Sequence, residues 1–258
     1  MTSLARLQAF VINLDRSPDR MAVMQERLAR TGLPWQRIRA VDGGSLDLRR
    51  CPEIDVRGYE LRHGKTLVSS EAGCYLSHLD AMRAFLRSTA DVALLLEDDA
   101  DFPPNFLPLL RELLQHGPAW DIVKLSSFHS GTPVPLVPLV PPYALAVPLS
   151  RHCNSNSVLI NRHAARVLLH SLLPMQLPYD HALERAWLFG LKLRVVTPSP
   201  CPADTGLAST ISAQASLARK FPLYQRGPTM AYRLVTELSR LGFGLMHVAR
   251  AWWRWENR

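Results

Sequence analysis

Four carboxylates, Glu97, Asp98, Asp99 and Asp101, stand directly behind the unbroken apolar run 92–96. Anions crowded this closely repel one another unless protons, arginines or a metal compensate. A hard, oxygen-preferring cation such as Mg2+ or Mn2+ takes carboxylates together with substrate phosphates and suits the set. The plain alternative is a solvated acidic turn. What favours a site is the run before it, which reads as a central parallel strand buried on both faces. Open α/β sheets place their ligands outside the carboxyl ends of such strands.

A second polar set follows another strand. Residues 7–14 form a compact apolar run that ends at Asn13, Asp15 and Arg16, and Ser17-Pro18-Asp19 then opens a helix carrying Arg20 and stopping at Gly32. An arginine fork suits phosphate, although Arg20 reads equally well as a helix-surface ion-pair residue. A strand over 35–41 closes at Asp42-Gly43-Gly44, where glycine permits backbone angles that other residues resist.

The remaining chain supplies the scaffold. Helices are expected at 70–88, 105–114, 162–173 and 179–189, and strands at 121–125, 155–160 and 191–196. Prolines crowd 132–148 and cannot donate ladder hydrogen bonds, so this stretch is expected to be an irregular active-site or acceptor loop. Alternating strands and helices predict an α/β fold with a mostly parallel central sheet. One catalytic domain over 1–220 is expected, with a basic helical extension over 221–258.

The net charge of +8 points to anionic partners: nucleic acid, phosphorylated headgroups or a diphosphate-bearing substrate. Cys51, Cys74, Cys153 and Cys201 lack the paired short spacing of a zinc or redox motif and read as reduced thiols. The first residues lack the long apolar region of a signal peptide, and no run approaches the roughly 20 apolar residues needed to span a bilayer. A cytoplasmic protein, peripheral on the inner face of a bacterial inner membrane, is the expectation.

Ordered blocks carry a resemblance. VINLDRSPDR at 11–20 with RIRAVDG at 37–43, SSEAGCYLSH at 69–78, LLLEDDAD at 94–101 and WDIVKLS at 120–126 resemble glycosyltransferase family 25, the lipooligosaccharide-biosynthesis transferases. SNSVLINRHAARVLL at 155–169 and PYDHAL at 178–183 look like that family's second half. The resemblance implies a Rossmann-like glycosyltransferase A fold, a UDP-sugar donor with galactose ahead of glucose, and Mn2+ or Mg2+ on the acidic motif.

On that resemblance, Glu97 and Asp99 bridge metal to diphosphate, Asp98 faces sugar hydroxyls, and Asp101 competes as a ligand through the Asp99-Ala100-Asp101 pair. Asn13, Asp15, Arg16 and Arg20 lie where the nucleotide would sit, and Asp42 is placed for uracil or ribose, against ordinary turn chemistry. Ser77 and His78 share a helix with Gly73, whose missing side chain lets substrate or a neighbouring backbone approach. Lys124 either balances the diphosphate or pairs with Asp121. An inverting transfer needs a base for the acceptor hydroxyl. Asp180 is the candidate, with His181 and Asp101 as substitutes, and a helix-capping role for Asp180 stands beside it. The segment 206–211 reads as a loop over the donor.

The basic, tryptophan-bearing helix expected from Thr229 to Arg258 suits either an anionic membrane surface, near a lipid-linked acceptor, or docking on the catalytic domain. Two other functions compete with the transferase. A metal-dependent phosphodiesterase or nuclease would want a second ligand cluster, which the sequence does not supply. A nucleic-acid-binding protein would want a stacking set along a basic groove, and none accompanies these arginines.

Overall fold

In the computed structural model, which describes residues 4–127, 131–202 and 218–256, eight strands form one sheet. They are β1 (Leu7–Asn13), β2 (Trp35–Arg39), β3 (Val92–Glu97), β4 (Ile122–Lys124), β5 (Pro133–Pro138), β6 (Ala144–Pro148), β7 (Ser157–Asn161) and β8 (Leu193–Thr197), ordered β2-β1-β3-β7-β4-β8-β6-β5. The helices are α1 (Pro18–Ala29), α2 (Val56–His63), α3 (Ser69–Arg87), α4 (Phe106–Gln115), α5 (Arg162–Ser171), α6 (Tyr179–Leu183) and α7 (Gly227–Glu256).

The sheet is mixed, which corrects the expectation of a mostly parallel one. β1 runs parallel to β2 and β3, and β4 to β8. The pairings β3–β7, β4–β7, β5–β6 and β6–β8 are antiparallel. A parallel neighbour needs a long crossover, normally a helix, and no helix is described between β4 and β7.

Period-two alternation along β3 divides the core. Ala93 and Leu95 join Tyr75, Leu79 and Met82 of α3 on one face. Leu94 and Leu96 join Met21, Met24 and Leu28 of α1 and the leucines of α4 on the other. The same alternation sends successive carboxylates at the strand end to opposite sides of the sheet.

Gly43 and Gly73 are required for a reason other than turn angles. Neither has a positive φ. A Cβ on Gly43 would stand 1.8 Å from the carbonyl oxygen of Ser69, and one on Gly73 would stand 2.6 Å from that of Val41. The pair lets the start of α3 press onto the end of the β2 connection, so the expected close approach at Gly73 is made by backbone.

Two further expectations are corrected. The proline-rich stretch is an edge hairpin, β5 with β6, whose prolines are tolerated because β5 closes the sheet and the register shifts between Pro135 and Val137. The helix expected over 179–189 is split into α6 and a 3-10 turn at Ala186–Phe189. The break falls at Glu184–Arg185, where the Glu184 side chain enters the core.

One side of α7 docks on the rest of the chain. Thr229 donates to the carbonyl of Leu61 (2.7 Å), Arg233 to that of His63 (2.9 Å), and Arg240 lies over the Trp187 ring and pairs with Glu184 and Glu237. Among the described residues no helix is long and apolar enough to cross a membrane.

Candidate active site at the carboxyl ends of β1 and β3

Glu97 ends β3 on the α3 side. Its Oε1 lies 3.7 Å from His78 Nε2 and 3.8 Å from Cys74 Sγ, on two α3 residues one turn apart. His78 is buried, stacks on Tyr179 with ring centroids 3.9 Å apart, and has Nδ1 3.0 Å from the Cys74 carbonyl oxygen. With Nδ1–H donating there, the Nε2 lone pair faces Glu97. Burial holds the His78 pKa down at about 4, so the ring is neutral. Burial, then Asp99 and Asp98, push Glu97 up to about 8, against the pull of Arg20.

Asp98 and Asp99 turn toward α1. Asn13 donates to Asp98 Oδ2 at 2.6 Å, and Arg20 pairs with Asp98 and, at 3.2 Å, with Asp99. Burial raises the Asp98 pKa, opposed by Asn13 and Arg20. The Asp99 Oδ1 atom is buried with no hydrogen-bond partner. Two carboxylates therefore share the Arg20 guanidinium, and one oxygen is left unsatisfied. This is the surroundings a hard cation fits, with Asp99 and Glu97 as the oxygen donors that have capacity to spare.

Asp101 does not join them. Its side chain is half-exposed, accepts the Phe102 N–H at 2.9 Å and pairs with Arg27 at 3.4 Å. Among the described residues, two sets of three bring ligand atoms within 4.8 Å of one another: Cys74, His78 and Glu97, and Cys153, Asp180 and His181. Neither contains Asp99 or Asp101, so the expected Glu97, Asp99, Asp101 trio is not a preformed cage.

The rim residues are paired with each other. Asp15 takes Arg37 (2.7 Å) and Arg39 (2.6 Å), and Arg16 pairs with Asp42, which also accepts the Gly44 N–H at 3.0 Å. These bonds, Arg37 first for Asp15 and Arg16 first for Asp42, lower both carboxyl pKa values. Ser77 is buried, accepting from Val41 N (2.8 Å) and donating to Gly73 O (2.6 Å), so it braces the α3 contact rather than facing a ligand.

Lys124 is also corrected. Its ammonium is fully buried, bonded to Glu184 and to the carbonyl of His152 rather than to Asp121. Asp121 instead accepts from Asn161 (3.0 Å) and from Lys192 N (2.8 Å).

Asp180 opens α6. It accepts the Asn154 N–H (3.3 Å) and the N–H of the next residue, His181 (2.9 Å), while Pro178 is the N-cap, so Asp180 is not the cap of this helix. It is also the last and smallest of the charges that raise Glu97, 83 positions earlier in the chain, and its own ligand atoms cluster with Cys153 and His181. Burial alone would raise the Asp180 pKa; His181, Lys124 and the two N–H groups outweigh that and hold it below the usual value. His181 Nε2 lies 3.9 Å from Cys153 Sγ. The segment 206–211 lies outside the described residues.

Residues that reading by motif passed over complete the wall. Cys74 precedes His78 by one helical turn, a spacing that was a usable signal. Asn156 stands opposite Glu97, whose N–H bonds its carbonyl at 2.8 Å. The Asn156 side chain is buried with neither of its polar atoms bonded, and nothing local in the sequence announces this.

Residues 6–132 match the family model described as glycosyltransferase family 25 (LPS biosynthesis protein). The chain is 37% identical over 101 residues to a "Glycosyltransferase 25 family member" of Drosophila melanogaster, covering 38% of this chain and 16% of that protein. It is 30% identical over 124 residues to "Procollagen galactosyltransferase 1" of Danio rerio, covering 45% and 20%. It is 32% identical over 126 residues to "Inactive glycosyltransferase 25 family member 3" of Homo sapiens, covering 46% and 21%. The similarity thus spans about a fifth of the length of these relatives. The matched segment holds β1 to β4 with Asn13, Arg20, His78 and the Glu97–Asp99 centre, and it is this segment that is similar to glycosyltransferase family 25.

Proposed function

We propose that the chain is an inverting, metal-dependent glycosyltransferase that moves a hexose, galactose before glucose, from a UDP-sugar to a lipooligosaccharide core acceptor. The observation that carries this is the strand-end centre in which Asp98 and Asp99 share Arg20, beside Glu97, and leave Asp99 Oδ1 buried and unbonded. Perturbed carboxylates at the end of a central strand are what a diphosphate-metal site needs. The LPS wording of the family description supports the acceptor class. The name of the zebrafish relative supports galactose, and the name of the human one makes activity itself a point to test.

Mn2+ or Mg2+ held by Asp99 with Glu97 would offset negative charge on the departing diphosphate. The chain's own residues do the rest. Arg20 and Asn13 fix Asp98 and Asp99 in place, while Asp15, Arg16 and Asp42 form a polar rim that can exchange partners with the nucleotide. Asp180, held ionised below the usual carboxyl range, takes the proton of the acceptor hydroxyl. Asn156, beside Glu97, offers an amide to a sugar hydroxyl.

The test is calorimetric titration with UDP-galactose, UDP-glucose and UDP, each with Mn2+ and with chelator, on the natural chain and on Asp99→Asn. One UDP-sugar should bind only with metal, and the substitution should weaken it by about tenfold or more while the fold persists. Binding of none of the three with metal present would overturn the reading.

A further inference from the structure

The docked side of α7 has been described; its other side is unusual. Met230, Leu234, Leu238, Leu241, Leu245 and Trp252 are each between 40% and 62% exposed. At 3.6 residues per turn they fall within an arc of about 80° along one line of the helix. Ala231, Val235, Gly242 and Ala249 widen the exposed sector to about 140°. Among the described residues of α7 that are exposed, Arg250 alone is charged. Just before the helix, Leu223 and Tyr224 extend the same character, at 67% and 82% exposed.

A surface helix normally turns its charges to water. Here the arrangement is inverted. The charged side chains Arg233, Glu237 and Arg240 are spent on docking, and the solvent side is apolar from Met230 to Leu245 and again at Trp252 and Trp253. Contiguous apolar surface of this extent marks an interaction face.

We infer that α7 lies flat on an anionic lipid bilayer, its apolar sector sunk into the headgroup boundary with Trp252 at the interface. Charge complementarity selects this occupant. The chain carries +8 overall. Exposed Arg219 and Lys220 precede the helix and Arg250 stands near its end, whereas its described acidic side chain, Glu237, is held by Arg151 and Arg240. Pairing with a second copy fits less well: a sector about 140° wide exceeds the narrow seam of two packed helices, and among the residues described there charges of both signs to set a register are missing. A helix of this length lacking a spanning segment, apolar on one side and flanked by cations, is the interfacial type. This inference does not depend on the transferase reading.

The experiment is co-sedimentation of the full chain with phosphatidylcholine vesicles, with and without phosphatidylglycerol, read together with tryptophan emission. The comparison variant is Leu238→Asp with Leu241→Asp, which leaves Thr229, Arg233 and Arg240 in place. The natural chain should partition onto the phosphatidylglycerol vesicles, with a blue shift that salt weakens. The variant should lose at least about tenfold in partition at an unchanged thermal midpoint. Failure of the natural chain to associate with either vesicle would overturn the inference. So would a dimer of the natural chain that ignores vesicles and becomes monomeric in the variant.

Discussion

Two ionic clusters in this fold are built on opposite terms. Around Glu184, which is 2% exposed, Lys124 bonds one carboxylate oxygen, while the His152 N–H (3.2 Å) and Arg240 (3.8 Å) attend the other. At the end of β3 Asp98 and Asp99 share Arg20 beside Glu97, and an oxygen goes unbonded. In the first cluster each carboxylate oxygen of Glu184 has a partner, and the cluster ties β4, the segment after α6 and α7 together. The second is incomplete, and the deficit appears as a Glu97 pKa pushed up to about 8 by burial and by its neighbours. A buried charge set that closes on itself is structural; one that does not is waiting for a counter-charge.

The comparison breaks most visibly at Glu184. Glu184→Ala leaves the Lys124 ammonium uncompensated in the core and should cost about 3–5 kcal/mol of stability, measured by denaturant unfolding. The double substitution Lys124→Met with Glu184→Leu should recover most of that, because both charges then leave together. Recovery absent from the double variant would mean that Glu184 does more than answer Lys124.

At the β3 end, removing a charge should have the opposite sign. A carboxyl whose folded pKa is raised binds its proton more tightly in the folded state. Its contribution is therefore complete below about 4.5 and is lost as pH rises through about 8. Without metal, Glu97→Gln should match the natural chain near pH 4 and exceed it by about 1–3 kcal/mol at pH 9. Mn2+ should narrow the gap by stabilising the natural chain alone.

The buried histidines set the acid side of the same curve. Burial lowers His63 to about 3 and His78 and His152 to about 4, so the stability they carry is full above about 6.5 and is lost as pH falls toward those values. A metal-free midpoint that kept rising past pH 8 would contradict the description of the Glu97 centre.

Local signals were the legible ones. The apolar runs of β1 and β3, the 3.6-residue spacing of α1 and α3 and the breadth of α7 all stand in the sequence, because each is decided by near neighbours. The antiparallel return of β7 between β3 and β4 is not, since it depends on which distant strand fills the gap. Lys124 shows the same limit: its partner Glu184 lies 60 residues on, so a lysine beside a motif looked like a phosphate ligand. Asp101 was misplaced for another reason. Strand alternation, visible in the sequence, already separates Glu97 from Asp98, and the chain leaves the strand before reaching Asp101. The edge hairpin was missed because proline was read as excluding a strand, when it excludes only the inner positions of one.

The smallest expected effect separates structure from binding at the rim. Arg16 and Asp42 pair with about half of each side chain exposed, and such a pair contributes little to stability in water and salt. Arg16→Ala should therefore leave the thermal midpoint within about 1 °C. If the guanidinium exchanges Asp42 for a phosphate when nucleotide arrives, the same change should weaken UDP binding by about three- to tenfold, most clearly at low salt. The swapped pair, Arg16→Asp with Asp42→Arg, distinguishes the two roles. It rebuilds the ion pair but moves the cation to the far side of the β1–β2 rim. Restored UDP affinity in the swap would show that the pair matters only as a brace. Affinity that stays low would assign Arg16 to the same incomplete charge set as Asp98 and Asp99, on the side of the site where a diphosphate supplies the missing partner.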